Sequence, residues 1–193
     1  MLTNLLPRDG EAFYHGPVFS SGEAAAYFDG LRQTIPWASD EIVMFGKRVV
    51  TSRKVAWFGD PDCDYAYSGT KKTALPWTSE LLELKTVAEE KAGAVFNSCL
   101  LNLYHDGGEG MGWHSDNERS LGEDPVIASL SFGAERRFLF RNKEDGEKVE
   151  LTLKDGSLLV MGAGTQSAWQ HSLPKAKRVI DPRINLTFRR IVG

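Results

Sequence analysis

Residues 148–162 read KVELTLKDGSLLVMG, two apolar-rich runs on either side of an Asp155–Gly156 pair. Alternation with period two marks a strand with one buried face, and an Asp-Gly pair between two such runs predicts a hairpin. The same texture recurs on both sides, in FNSCLLNLY at 96–104, VIASLSFG at 126–133, RRFLFRN at 136–142 and INLTFRRI at 184–191. Many short antiparallel strands at close spacing predict a sandwich or jelly roll. Before about Val95 the pattern is different. Ser20-x-x-Glu23 is a capping-box signature ahead of AAAYFDGLRQTI, where Ala25, Phe28, Leu31 and Ile35 share an apolar face. A second helix is expected from Thr78 or Ser79 to Gly93, with Leu81, Leu82, Leu84, Val87 and Ala88 on its core side. Between the helices, residues 41–58 alternate around Gly46 and read as a hairpin. The fold class expected is α+β with a mainly β core: one domain, 1–193, in which 1–94 supply the helices and hairpin and 95–193 the β core.

With 41% hydrophobic and 25% charged residues among 193, the chain has the composition of a globular domain with a full core, which excludes disordered and collagen-like readings. No run approaches the roughly 18 apolar residues of a membrane helix, and MLTNLLPRDGEAFYHG lacks the features of a signal peptide. A soluble, cytoplasmic protein, with no membrane partner, is therefore expected. Cys63 and Cys99 form no CxxC pair, so reduced structural thiols are expected. The net charge of −3 rules out an indiscriminate nucleic-acid coat and leaves only local basic faces. Lys47, Arg48, Arg53 and Lys54 make one within 42–54; KAKR at 175–178 and Arg136–Arg137 are smaller, and each reads equally well as solvated surface.

The chain has four histidines. In His114-Ser115-Asp116, residues two apart on an extended segment project to the same side, so imidazole and carboxylate can reach one ion. A bare HxD is weak by itself. His171, in SAWQHSLP, can return beside the pair in a jelly roll. Two imidazoles and one carboxylate suit a non-haem Fe(II) oxygenase, which needs open positions for co-substrate and O2, and also hydrolytic zinc. The segment Arg183 to Arg189 bears on the choice. Arg183, Asn185, Thr187 and Arg189 share one face and Ile184, Leu186 and Phe188 the other. The polar face is either an ordinary half-exposed surface or a pair of guanidinium forks suited to a dicarboxylate, which a zinc hydrolase would not need. Asn102 and Tyr104 share a strand face and can complete such a pocket.

Taken together, NLYHDGGEGMGWHSDNE (102–118), SLSFGAERRFLFR (129–141), GSLLVM (156–161), WQHSLP (169–174) and PRINLTFR (182–189), with FGKRVVTSRKVAWFGD (45–60) and YAYSG (65–69), make the sequence resemble the AlkB family of Fe(II)- and 2-oxoglutarate-dependent dioxygenases, and among them the enzymes acting on double-stranded DNA. The likeness covers about 150 residues, and the order and spacing of the motifs carry it. It implies a double-stranded β-helix in 95–193 and a nucleotide-recognition lid in 1–94. It implies iron on His114, Asp116 and His171. Arg189 and Asn102 would meet the oxalyl end of 2-oxoglutarate, and Arg183 and Tyr104 its far carboxylate, with Asn185 supporting that grip. The implied reaction consumes O2 and 2-oxoglutarate, releases succinate, CO2 and formaldehyde, and restores bases such as 1-methyladenine and 3-methylcytosine.

A base within a duplex must be flipped out to reach a buried iron, at a cost of a few kcal/mol. On the resemblance, Phe45 at the hairpin tip would fill the vacated stack, with Lys47 and Arg53 near phosphates. Tyr65 or Tyr67 would stack on the extruded base. Glu118 would face the cationic lesion. Asn117 stands where one member of the family has an acid, and Tyr67 where that member has an aromatic without hydroxyl; both departures bear on lesion preference. The expected partner is alkylated DNA, double-stranded, bound by a monomer. The alternatives are an RNA or protein demethylase or hydroxylase of the same family, and a damaged-DNA binding module without turnover.

Overall fold

The computed structural model describes residues 2–44, 47–61, 63, 65–67 and 70–192, and for 40–44, 47–49, 65–67 and 70–72 the backbone alone. In chain order it contains β1 (Ala12–Pro17), α1 (Ser21–Thr34), β2 (Ala38–Met44), β3 (Lys47–Gly59), β4 (Tyr65–Tyr67), β5 (Thr70–Lys72), α2 (Ser79–Ala92), β6 (Ser98–Tyr104), β7 (Met111–His114), β8 (Ile127–Gly133), β9 (Arg136–Asn142), β10 (Lys148–Leu153), β11 (Ser157–Met161), α3 (Thr165–Ala168), β12 (Trp169–Leu173) and β13 (Arg183–Arg189). Among the described residues the strands form a seven-stranded sheet ordered β1-β11-β8-β13-β6-β3-β2, a four-stranded sheet ordered β10-β9-β12-β7, and the small β4-β5 pair. The chain passes back and forth between the two larger sheets, which face each other without closing. This is the expected mainly β jelly roll with helices outside it. Strands β1, β2 and β3, all before residue 95, belong to the same large sheet as the β core.

Local chemistry accounts for the helices. Ser20 caps α1 by accepting from Glu23 N, and the Glu23 carboxylate accepts from Ser20 N at 2.9 Å, so two otherwise unpaired N-terminal donors are satisfied reciprocally. Thr78 caps α2, and Gly93 ends it with φ of 61°, a left-handed conformation that a side chain disfavours. The buried faces differ slightly from the sequence expectation. In α1, Ala24 is buried and Ala25 exposed; in α2, Leu81, Leu84 and Ala88 are buried while Leu82 is exposed. Both helices pack on the large sheet, where Leu31, Leu81, Leu84 and Ala88 meet Leu101, Leu130, Leu186 and Phe188.

The expected hairpin at Asp155–Gly156 is not one. β10 pairs with β9, whereas β11 pairs with β8 and β1, so the chain changes sheets at this turn. The Asp-Gly chemistry still applies: Gly156 has φ of 65°, and the Asp155 carboxylate accepts from Gly133 N at 2.8 Å. That bond ties the crossing to the parallel crossing between β8 and β9. The hairpin over 41–58 is present as β2 and β3.

Strand β13 is central to the large sheet and is paired on both sides, to β6 and to β8. Ile184, Leu186 and Phe188 face the helices. Arg183, Asn185, Thr187 and Arg189 face the space between the sheets, and all seven residues are buried. The polar face of this strand is thus its inner one, not a solvated outer face. Register gathers its neighbours: Arg183 lies opposite Tyr104, Asn185 opposite Asn102 and Ser131, and Thr187 opposite Ser129.

Candidate metal and co-substrate site

β7 and β12 are antiparallel neighbours in which His114 and His171 are direct register partners. Directly opposed residues point to the same face of a sheet, and the two imidazole centroids lie 4.2 Å apart. Asp116 follows two residues after His114, past the end of β7. Its Oδ1 lies 3.7 Å from His114 Nε2, and its Oδ2 accepts from Arg189 Nη2 at 3.0 Å. One donor atom from each of His114, Asp116 and His171 falls within 4.8 Å of the others. His105 and His15 stand apart from this group; His105 pairs with Glu109 at 3.0 Å.

The surroundings leave the metal-binding lone pairs available. His114 Nδ1 lies 2.8 Å from Gly112 O, a contact that places the ring proton on Nδ1 and frees Nε2 for a metal. His171 is buried and stacks on Phe138 at 5.5 Å. Burial pushes its pKa down to about 3 against the pull of Asp116, so the imidazole is neutral at physiological pH. Burial opposes ionisation of Asp116, but Arg189 and the two imidazoles outweigh it and hold the carboxyl below its ordinary range. Two imidazoles and one carboxylate on a shared face fit a divalent iron with positions left for other ligands.

Beside the triad, between the sheets, lies a cavity of about 60 Å³ lined in part by Asn102, Tyr104, Ser129, Arg183, Asn185 and Arg189. Arg183 donates from Nη2 to Ser131 Oγ at 2.9 Å and lies over the Tyr104 ring at 5.5 Å. Its Nε and the Asn102 Oδ1 are buried without a hydrogen-bond partner, the condition of groups awaiting a polar ligand. Burial lowers the Arg183 pKa to about 10, which leaves it cationic at neutral pH. Arg189 reaches the metal end of this cavity through Asp116, and Arg183 the end at Tyr104. Asn185 lines the same pocket and donates both amide hydrogens, to Ser129 Oγ at 2.9 Å and Leu130 O at 2.8 Å, which ties β13 to β8 behind it. Sequence reading missed Ser129 and Ser131, although SLS in 129–131 alternates in phase with the polar positions of β13.

On the other side of the triad a larger cavity of about 410 Å³ is lined by Ser39, Arg53, Val55, Trp57, Met111, His114, Asp116, Glu118 and Arg189 among others. Glu118 is therefore at the site. Arg53, read from the sequence as a phosphate contact, is buried, and its Nη1 reaches Met111 Sδ at 3.5 Å, so it borders the cavity instead of standing in solvent. Asn117 is exposed. Phe45 and the side chains of Lys47, Tyr65 and Tyr67 lie outside the described residues. Among the described residues no helix is long and apolar enough to cross a membrane.

The 2OG-Fe(II) oxygenase superfamily profile matches residues 12–189. The chain is 40% identical over 186 residues to the DNA oxidative demethylase ALKBH2 of Mus musculus, covering 91% of this chain and 78% of that protein. It is 41% identical over 179 residues to the alpha-ketoglutarate-dependent dioxygenase alkB homolog 3 of Bos taurus, covering 88% of this chain but 62% of the relative's length. Among solved structures, OsALKBH1 superposes with a TM-score of 0.64 at 17% identity, over 98% of this chain and 100% of that one, a likeness of fold.

Proposed function

Because this chain belongs to the 2OG-Fe(II) oxygenase superfamily, we propose that it removes alkyl groups oxidatively from DNA bases, with 1-methyladenine and 3-methylcytosine in duplex DNA as its substrates. It is an iron- and 2-oxoglutarate-dependent dioxygenase. One observation carries the reading of the site: the two cavities share His114, Asp116 and Arg189 in their walls, so the metal ligands stand between a small pocket ending in a buried guanidinium and a larger one. In this reading the first takes the dicarboxylate and the second the extruded base.

Iron bound by His114, Asp116 and His171 would supply oxidation of an N-alkyl C–H bond by O2, one oxygen atom going to the alkyl group and the other to the succinate formed with CO2 from 2-oxoglutarate, and the hydroxymethyl group would then leave as formaldehyde. The remaining work falls to the chain. Arg189 holds Asp116 ionised and turns its Oδ1 toward the imidazoles. Arg183 and Tyr104 take the far carboxylate, and Asn102 with Arg189 the end nearer the metal. Phe138 stacks on His171 and keeps water from that flank. On the base side, Glu118 offers a negative charge to a lesion that methylation leaves cationic. Duplex preference is part of the proposal, with the β2–β3 hairpin as the element that enters the stack. A reducing compartment such as the cytoplasm suits the buried Cys99 thiol.

Methylated single- and double-stranded oligonucleotides incubated with Fe(II), 2-oxoglutarate and ascorbate, and followed by mass, test this. Loss of one methyl mass with matching succinate is expected, faster on the duplex. Phe45→Ala should slow the duplex reaction selectively. No mass change on any methylated DNA, with turnover on RNA or peptide, would reassign the substrate; tight binding of methylated duplex without succinate would make the protein a damage-binding module.

A further inference from the structure

The three metal ligands are not held in the same way. His114 and His171 sit in neighbouring strands, so ladder hydrogen bonds fix their backbones. Asp116 lies beyond the end of β7, where no ladder reaches it. Its backbone N–H instead donates to the side-chain oxygen of Gln166 at 2.9 Å, a contact buried from water across 50 positions of sequence. Gln166 is 2% exposed and belongs to α3, the single turn just before β12.

That turn is anchored on several sides. Lys143 Nζ donates to the carbonyls of Gln166 at 2.8 Å and Ser167 at 2.9 Å. Thr165 Oγ donates to Glu11 O at 2.7 Å, and the Asp124 carboxylate accepts from Gly164 N at 3.2 Å. A side chain projecting from so constrained a turn can act as a fixed stop. We propose that Gln166 is a positioning residue for the iron site: its amide oxygen locks the Asp116 backbone so that Oδ1 faces the two imidazoles while Oδ2 stays on Arg189. The proposal rests on the metal site described above and adds to it a determinant that touches neither metal nor co-substrate.

Without that acceptor the Asp116 N–H is buried and unsatisfied, and the turn carrying Asp116 relieves this by moving toward water, away from the imidazoles. Loss of an outer partner of this kind typically costs about 10- to 100-fold in metal affinity. The test is titration of the metal-free full chain with Co(II), read by its visible absorption, and of Mn(II) by calorimetry, for wild type, Gln166→Leu, Gln166→Glu and Lys143→Met. Gln166→Leu is expected to weaken both metals about 10- to 100-fold and to change the Co(II) band shape. Gln166→Glu, which keeps an oxygen at the same reach, should restore most of the affinity. Lys143→Met, at an exposed position, slackens the turn and should give a smaller loss in the same direction, so the idea stays testable if Gln166→Leu does not fold. Wild-type affinity and spectrum in a folded Gln166→Leu, or equal loss in Leu and Glu variants, would overturn it. Failure of wild type to bind either metal would instead overturn the reading of the triad.

Discussion

Replacing Arg183 with methionine keeps an unbranched apolar stem and removes the guanidinium with its charge, which tests what that buried group contributes to the proposed grip on 2-oxoglutarate. Arg183 is 3% exposed and has one hydrogen bond, to Ser131 Oγ, leaving Nε without a partner beside the pocket. A hydrogen bond to a charged group contributes about 1.5–3 kcal/mol, and about 1.4 kcal/mol is tenfold in affinity. The expected loss is therefore about 10- to 100-fold in co-substrate Kd, toward the upper end because the carboxylate would be buried without its counter-charge. The assay is calorimetric titration of N-oxalylglycine into protein loaded with Mn(II). Metal affinity should not change, since Arg183 does not contact the triad. The pH dependence has a definite sign. Burial brings the Arg183 pKa down to about 10, so the gripping cation is present below that pH and lost above it. Affinity should be flat from about pH 7 to 9 and fall as the pH passes about 10. A Kd for Arg183→Met within about threefold of wild type would refute the argument, because no charge-assisted contact is that weak in a buried pocket.

His171→Ala should abolish metal binding and turnover while far-ultraviolet circular dichroism stays native, because the imidazole faces a cavity and makes no hydrogen bond from Nδ1; normal turnover would remove it from the ligand set. Gly156→Ala is expected to cost about 1–2 kcal/mol in urea unfolding from left-handed strain alone, with a further contribution from a Cβ placed 3.1 Å from Ala24 Cβ; an unchanged midpoint would show that the crossing turn relaxes. Ser20→Ala removes half of the α1 capping box and should cost about 1 kcal/mol in the same assay, without effect on catalysis.

How far the sequence reveals this molecule depends on whether a feature is set by neighbours along the chain or by neighbours across it. The two helices and their ends were legible because Ser20, Glu23, Thr78 and Gly93 act on backbone groups within a few residues. Period-two alternation likewise located β6, β8, β9, β11 and β13. Asp155–Gly156 was read correctly as a turn and wrongly as a hairpin, because a turn pair fixes local dihedrals and says nothing about which strand lies alongside. That is decided by the register of β9 with β10 and of β8 with β11. The outer partners of the site fall beyond reach for the same reason. No spacing links Gln166 to Asp116, or Asn185 to Ser129, since each pair meets only once the sheets are assembled.

The inward polar face of β13 shows why the metal triad and the guanidinium pocket come as a unit. Burying Arg183, Asn185, Thr187 and Arg189 is costly unless each finds partners. Asn185 and Thr187 find theirs within the sheet, at Ser129, Leu130 and each other. Arg189 finds the Asp116 carboxylate, and in doing so orients a metal ligand. Arg183 is left with a single hydroxyl partner and a buried, unused Nε. Its net charge is answered by no carboxylate among the described contacts, and the group that would answer it is an anion entering the pocket beside the iron ligands. The strand therefore carries an incompletely paired cation among the described contacts, and in the proposed function binding of the co-substrate would supply the counter-charge. Saturating N-oxalylglycine should accordingly raise the unfolding temperature of the Mn(II) protein more in wild type than in Arg183→Met. Equal shifts in the two would mean that the anion draws its binding energy from elsewhere.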